Sequence, residues 1–359
     1  MDKIRINLYS DTQTRPSPGM LQAMMEAELG DEQHRLDPSV TRLCREVADL
    51  LGKEEAVFLP SGTMCNQIAL VVHCSPGDEI IADRTAHIIT SEAGGPASLA
   101  GAMVNPLNGE NGIFSASQVE QALRGATFHE PRSSLVVVEQ TSNRGGGNIW
   151  PLEQLREVSE ISRSQGLRVH MDGARLMNAA VASGVSAADY AATVDSLWLD
   201  LSKGLGCPVG AVLAGTQEFI SEAWRWKHRL GGAMRQAGVL AAAGSWALKH
   251  NVARLAEDHE NAMELGRRLS EIPGIELDPS MVETNLVFFD VSGTGRSARD
   301  LSMKLKQKGI WIGAVSERKM RAVTHLDVNQ NEIHEALEIL SETLQDSEWG
   351  TCTSPKKKI

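Results

Sequence analysis

Short apolar runs bounded by turn residues alternate with helical patterns through the first 250 residues of this chain. The runs cover residues 55–59, 79–82, 134–139, 167–171, 196–199 and 210–214, and amphipathic stretches such as 152–165 stand between them. Short buried strands alternating with helices are typical of a mainly parallel sheet covered on both faces. The sequence therefore predicts an α/β fold.

The pattern changes near Ala253. Helical patterns at 253–272, 298–309 and 331–344 alternate on a smaller scale with strand-like runs at 285–291 and near Ala322. This predicts a small C-terminal α+β domain over 253–345, after a large domain over 18–252. The last residues, 346–359, lack apolar periodicity and are expected to form a disordered tail.

Composition narrows the kinds of partner. The 46 acidic and 35 basic residues give a formal charge of −11, which argues against a nucleic-acid or anionic-membrane partner and favours a small molecule. Five cysteines without a CxxC pair predict neither a disulfide framework nor a metal site. Without a signal-peptide core or a run of about 18 apolar residues, we expect a soluble, cytoplasmic protein.

Two polar residues follow apolar runs, where an α/β sheet assembles ligand sites. Lys203, in LWLDLSKGLGCPVG, precedes a glycine-rich turn, and a lysine held against a low-dielectric sheet edge can form an imine. Asp172, in LRVHMDGAR, ends another run, and a carboxylate there suits a pyridinium nitrogen. The ordinary alternatives are a solvated loop lysine and a helix N-cap.

Two further segments fit the same kind of site. FLPSGTMCNQIAL contains a Ser61-Gly62-Thr63 turn before a helix, whose N–H groups can bind a phosphate or serve only as a structural cap. Neither a GxGxxG nor a GxxxxGK[ST] motif is present, which disfavours dinucleotides and nucleoside triphosphates. His87, in RTAHIITSEAGG, can stack on a ring and act as a base, or be structural.

Together these segments resemble the low-specificity threonine aldolases, fold-type-I pyridoxal-phosphate enzymes of the aspartate aminotransferase superfamily. The resemblance extends from about Leu8 to Leu340. Its motifs, in order, are YSDTQTRPSPGM, LGKEEAVFLPSGTMCNQIAL, AHIITSEAGG, HMDGARLMNA, LSKGLGCPVGAVLAG, RLGGAMRQAGVLAAAG and VTHLDV. It implies a pyridoxal 5′-phosphate cofactor bound by the large domain, a contribution of residues 1–17 to the active site, and a homodimer or homotetramer with shared sites.

The resemblance also implies roles for individual residues. Lys203 would carry the cofactor as a Schiff base, Asp172 would face the pyridine nitrogen, and His87 would stack on the ring. The implied phosphate contacts are Gly62, Thr63, Ser202 and, across a subunit interface, Arg235. The implied contacts with the substrate carboxylate are Ser10, Arg175 and Arg321, with Arg175 also beside the cofactor. A planar guanidinium suits a carboxylate, although surface ion pairing is the alternative for these arginines.

Three segments depart from the family pattern. QTSN replaces the usual NTHN, so Ser142 stands where a histidine is expected near the substrate hydroxyl. QHRLDP replaces VYGEDP, which puts His34, Arg35 and Leu36 at the Tyr, Gly and Glu positions, and Tyr9 replaces an arginine. The cofactor residues are thus intact, whereas the part that contacts the β-substituent, including Ser142 and His34, is altered.

The implied reaction cleaves the Cα–Cβ bond of a β-hydroxy-α-amino acid, such as threonine or allo-threonine, to glycine and an aldehyde. His87 is the first candidate for the base that acts on the β-hydroxyl group, directly or through water, and His34 is the second. The sequence leaves open β-elimination or another reaction at Cβ, and a cofactor-binding protein without turnover. It also leaves open the β-substituent and the choice between threo and erythro substrates.

Overall fold

The computed structural model describes residues 4–125 and 127–346. The strands are β1 (Ile6–Asn7), β2 (Glu55–Leu59), β3 (Glu79–Asp83), β4 (Met103–Leu107), β5 (Ser133–Glu139), β6 (Arg168–Asp172), β7 (Ser196–Asp200), β8 (Ala211–Gly215), β9 (Leu286–Asp290), β10 (Ile310–Trp311), β11 (Gly313–Ala314) and β12 (Lys319–Val323). The α-helices are α1 (Pro18–Met25), α2 (Pro38–Leu51), α3 (Gly62–His73), α4 (His87–Thr90), α5 (Ala116–Ala122), α6 (Leu152–Ser164), α7 (Leu176–Ser183), α8 (Ala187–Ala192), α9 (Gln217–Arg229), α10 (Gly238–His250), α11 (Leu255–Ser270), α12 (Ala298–Gln307) and α13 (Gln330–Gln345).

Seven strands form the large sheet, in the order β2-β8-β7-β6-β5-β3-β4. β8 is antiparallel to both of its neighbours, and the other described pairs are parallel. Strands β3, β7 and β8 are buried along their whole length, as expected for a sheet covered on both faces. The predicted α/β class is confirmed, and all six apolar runs are strands of this sheet.

Local sequence explains where the covering helices begin and end. In α2, the Asp37 side chain accepts a hydrogen bond from the backbone N–H of Val40, Pro38 occupies the first turn, and Gly52 ends the helix with φ of 61°. Residues three and four positions apart then face the sheet, and Val40, Leu43 and Leu51 are buried in the main core. Capping and periodicity therefore indicate the same helix.

A second core lies in the C-terminal part of the chain. The small sheet has the order β11-β12-β9 and is antiparallel, while β1 pairs in parallel with β10. Ile6 and Leu8 are buried in this core together with residues of α11, α12 and α13. The N-terminal segment is thus built into the small sheet region, and the domain boundary near 253 stays a prediction.

Two further sequence-based expectations concern the C-terminal tail and membrane-spanning helices. The predicted tail over 346–359 lies, apart from Asp346, outside the described residues. Within the described residues, none of the helices combines the length and the apolar character that crossing a membrane requires.

Candidate active site

A cleft of about 420 Å³ opens at the carboxyl ends of β5, β6 and β7, beside the start of α3. Because β5, β6 and β7 are parallel neighbours, their terminal residues Glu139, Asp172 and Asp200 all reach this edge of the sheet. The cleft brings together most of the residues predicted from the sequence: Ser10, Gly62, Thr63, His87, Asp172, Arg175, Ser202, Lys203 and Arg321.

Lys203 stands in the turn that follows β7. Its backbone has φ of 53°, an uncommon left-handed conformation for a residue with a side chain. Its Nζ lies 2.7 Å from Asp200 Oδ2 and 5.7 Å from the centre of the Trp198 ring, and 18% of the side chain is exposed. The amine is therefore held inside the cleft rather than extended into solvent, which disfavours the alternative of a solvated loop lysine.

The N-terminus of α3 forms the wall beside Trp198. Ser61 caps the helix by accepting a hydrogen bond from the Met64 backbone N–H at 3.2 Å. A Cβ atom on Gly62 would lie 2.2 Å from the Trp198 ring, so this close approach requires glycine. On the other side, the Ser202 hydroxyl donates to Asp200 Oδ1 at 2.7 Å. The start of α3 and Ser202 thus bring backbone N–H and hydroxyl groups to the lining of the cleft.

Asp172 is buried at the end of β6. It accepts hydrogen bonds from Asn66 Nδ2 at 2.8 Å and from the Ala174 backbone N–H at 3.1 Å. Burial raises the pKa of its carboxyl group, and the neighbouring Glu92 charge acts in the same direction. Within the described residues it forms no salt bridge, so this carboxylate is suited to contact a cationic group of a ligand.

His87 begins α4 and lines the same cleft. Its Nδ1 lies 2.8 Å from Oε1 of Glu92, a buried carboxylate that also accepts from Asn66 Nδ2 at 2.7 Å. The hydrogen bond to Glu92 raises the pKa of the His87 imidazole. Neither Glu92 nor Asn66 was predicted as a site residue from the sequence, although each lies in one of the motifs that carry the family resemblance.

Glu139 is a further carboxyl group of the cleft that was not predicted from the sequence. Its Oε2 accepts from the backbone N–H of His87 at 2.7 Å, and its Oε1 accepts from the backbone N–H of Asn143 at 2.8 Å. The pKa of Glu139 is raised to about 7, mainly because the carboxyl group is buried and to a smaller extent because of the charge of Asp172. Glu139 could have been found by the pattern that identified Asp172, because both are acidic residues at the end of an apolar run.

Two arginines also line the cleft. Arg175 Nε and Nη2 each donate to Asp11 at 2.8 Å, and both side chains are buried. Burial alone would raise the pKa of Asp11, but Arg175 holds it below its ordinary value. Arg321 Nε is buried without a hydrogen-bond partner among the described residues, and its Nη1 lies 3.3 Å from Asn143 Oδ1. A partly buried guanidinium whose Nε has no hydrogen-bond partner among the described residues is suited to an anionic ligand.

Three predicted residues lie outside the cleft of a single chain. His34 and Arg235 both contact the Asp31 carboxylate, at 3.1 and 3.2 Å, and their side chains are 71% and 60% exposed. Ser142 is buried, and its Oγ packs against two glycine loops: a Cβ on Gly112 or Gly145 would lie 2.0 or 2.5 Å from it. The roles of these three residues stay predictions.

Comparison with known proteins agrees with the resemblance. The beta-eliminating lyase family matches residues 7–292. The chain is 41% identical to the low specificity L-threonine aldolase of Escherichia coli strain K12, over 92% of this chain and 96% of that protein. It is 38% identical to low-specificity L-threonine aldolase 1 of Arabidopsis thaliana, over 94% of this chain and 96% of that protein.

Solved structures bear on the fold. A threonine aldolase of Leishmania major has a TM-score of 0.81 at 22% identity and covers 94% of this chain and 99% of its own. A putative L-allo-threonine aldolase of Listeria monocytogenes has a TM-score of 0.79 at 24% identity and covers 96% of both chains. Because the sequence relatives align over nearly the whole chain and these structures share its architecture, the protein belongs to the beta-eliminating lyase family, as a member of its low-specificity L-threonine aldolase group.

Proposed function

We propose that this protein is a pyridoxal-phosphate-dependent lyase that cleaves the Cα–Cβ bond of a β-hydroxy-α-amino acid to glycine and an aldehyde. The observation that carries the proposal is that one cleft contains both the amine of Lys203, which lies 2.7 Å from Asp200, and the buried carboxylate of Asp172, which forms no salt bridge among the described residues. The names of the relatives at 38–41% identity support the same reaction.

The residues present fit the cofactor. Asp172 would accept a hydrogen bond from its pyridine nitrogen, Lys203 would bind it covalently, and the imidazole of His87 would lie against its ring. The start of α3, with Ser202, would bind the phosphate through N–H and hydroxyl groups. When bound, pyridoxal phosphate supplies an electron-accepting ring that stabilises the negative charge left at Cα when a bond there breaks.

Arg175 and Arg321 would hold the substrate carboxylate. Arg321 brings an unused donor, and Arg175, fixed by Asp11, brings a second guanidinium. Fixing the carboxylate at the two arginines and the amino group near Lys203 leaves the Cα–Cβ bond with a defined orientation. Such positioning supplies several kcal/mol of barrier reduction, within the roughly 7–11 kcal/mol available to well-oriented groups.

His87 is the proposed base for the β-hydroxyl proton, either directly or through a water molecule. Its ring lies in the cleft with Nδ1 turned to Glu92, so Nε2 is the nitrogen available to take a proton. His34, outside the cleft of its own chain, would reach a site only in a neighbouring subunit.

The proposed active unit is a homodimer or homotetramer in the cytoplasm. Arg235 lies on the surface of a single chain, where it would be able to complete the phosphate site of a second copy. A cytoplasmic location agrees with the unpaired thiols of Cys44, Cys65, Cys74 and Cys207.

The direct test is a product analysis of the cofactor-loaded protein with threonine, allo-threonine and aromatic β-hydroxy amino acids. Glycine and an aldehyde in equal amounts are expected. Ammonia with a keto acid would instead indicate β-elimination, and the absence of any product would indicate a binding protein. The Lys203→Ala variant serves as the inactive control.

A further inference from the structure

A buried polar cluster, formed by Asn66, Gln67 and Glu92, contacts the His87 ring at Nδ1. Three donors converge on the Glu92 carboxylate: His87 Nδ1 and Asn66 Nδ2 contact Oε1 at 2.8 and 2.7 Å, and Gln67 Nε2 contacts Oε2. The Glu92 side chain is fully buried. The position of this carboxylate is therefore fixed from three directions.

The cluster is also connected to Asp172. The second proton of the Asn66 amide goes to Asp172 Oδ2 at 2.8 Å, while Asn66 Oδ1 accepts from Trp198 Nε1 at 2.7 Å. One amide thus joins Glu92, which contacts the histidine, to Asp172. The His87 ring is thus connected to Asp172 through Glu92, which follows α4, and through Asn66 of α3.

The chemistry of the contacts fixes the tautomer of His87. An ionised carboxylate only accepts hydrogen bonds, so the proton between the two groups belongs to His87 Nδ1. In the neutral ring Nε2 then carries a lone pair. An imidazole whose Nδ1–H is held by a buried carboxylate is the arrangement that orients a histidine base in catalytic triads.

We propose that Glu92 is a positioning residue for the reaction: it holds the His87 ring with Nδ1 protonated, so that Nε2 is the proton acceptor in the cleft. This inference rests on the proposed function, because it assigns His87 the role of base. Glu92 does not line the cleft itself, and it acts through His87.

Several charged groups face His87, and Glu92 is the one bonded to its ring. Asp172 and Glu139 also raise the pKa of His87 through their charges, whereas burial lowers it. The Glu139 carboxylate contacts the backbone N–H of His87 and not the ring. Glu92→Gln therefore removes the contact that raises the pKa of His87 most, while the charges of Asp172 and Glu139 stay in place. As a result, His87 should become protonated only at lower pH.

The test combines kinetics with a chemical measurement on the cofactor-loaded protein. Glu92→Gln is expected to lower kcat by roughly ten- to a hundredfold, up to the contribution typical of a general base. The acidic limb of the pH profile should move to lower pH, and Glu92→Asp should restore part of the activity. Diethyl pyrocarbonate, which modifies neutral imidazole, should react with His87 of the Glu92→Gln variant down to a lower pH than in the wild type, as followed by peptide mass spectrometry.

Two comparisons separate positioning from support of the fold. Adding Glu92→Gln to His87→Asn should cause little further loss, because residues that act through each other are not additive. Glu79→Gln is the matched control: Glu79 is equally buried but begins β3, at the end of the strand away from the cleft, and should leave both pH profiles unchanged.

Full additivity with His87→Asn, or unchanged pH profiles in Glu92→Gln, would overturn the proposal and leave Glu92 a structural residue. A wild-type protein that makes no glycine would contradict the proposed function instead. The modification profile would still report whether Glu92 sets the protonation of His87, so the two failures are distinguishable.

Discussion

Glu139→Gln tests the electrostatics of the cleft through stability rather than activity. The pKa of Glu139 rises from 4.5 to about 7 because the carboxyl group is buried near Asp172. Between these two pH values the folded protein keeps a proton that the unfolded chain has released. The wild type therefore loses stability as the pH rises from 4.5 to about 7, and the loss is complete above pH 7.

The magnitude follows from the size of the pKa change. At about 1.4 kcal/mol per pKa unit, the rise in the pKa of Glu139 from 4.5 to about 7 costs about 3.5 kcal/mol of unfolding free energy above pH 7. With an unfolding entropy of about 2.1 cal/mol/K per residue, this corresponds to roughly 4–5 °C in Tm for a chain of 359 residues. Because glutamine does not titrate, the variant lacks this pH-dependent loss.

Thermal unfolding followed by circular dichroism, before cofactor is added, gives the assay. Glutamine accepts a hydrogen bond from only one of the two N–H groups that contact Glu139, so the variant loses some stability at every pH. The test is the Tm of Glu139→Gln minus that of the wild type, which should rise by about 3–4 °C between pH 4.5 and pH 8. Glu120→Gln, on the exposed surface of α5, controls for the loss of one charge. A difference that does not change with pH would refute the reasoning.

Three further variants test the predicted roles of Arg321, Arg235 and Ser142. Arg321→Gln should raise KM for the amino acid by roughly 10- to 100-fold, the cost of a lost charge-assisted hydrogen bond, and unchanged KM values would remove Arg321 from the carboxylate site. Arg235→Ala should weaken cofactor retention, measured by dialysis, more than it lowers Tm; a fully active monomer in sedimentation would contradict a shared site. Ser142→Ala should change kcat by less than about fivefold, because an uncharged hydroxyl contributes only about 1 kcal/mol, and should mainly alter the preference between threonine and allo-threonine. A hundredfold loss of kcat would show that Ser142 contacts the reacting atoms.

Strand positions were predictable because buried parallel strands are continuous apolar runs. The direction of β8 was not, because an apolar run of five residues reads the same in either orientation. β4 was missed because it is an edge strand: it pairs with β3 on one side, contains Pro106, and leaves Met103 exposed. An edge strand lacks the two-sided burial that makes the apolar signal strong.

The cleft residues were predictable where they follow a strand or belong to a motif. Asn66 and Glu92 could not be predicted, because their roles depend on burial and on partners that are distant in the chain. Asn66 contacts Asp172, 106 positions later, and Glu92, 26 positions later. Alignment with a motif also did not reveal where Ser142 points. Its side chain packs against glycines of two loops, and Asn143, the next residue, lines the cleft instead.

The pairing of β1 with β10 has a consequence for how the protein is made. Asn7 is hydrogen-bonded to His325, 318 positions later, and Ile6 pairs with Ile310. During synthesis, at about 5–20 residues per second, the first strand waits roughly 15–60 seconds for its partner. The large sheet has by then been translated in full, so it can fold first. The second core can close only after its last strands are made, around a segment translated about 300 residues earlier.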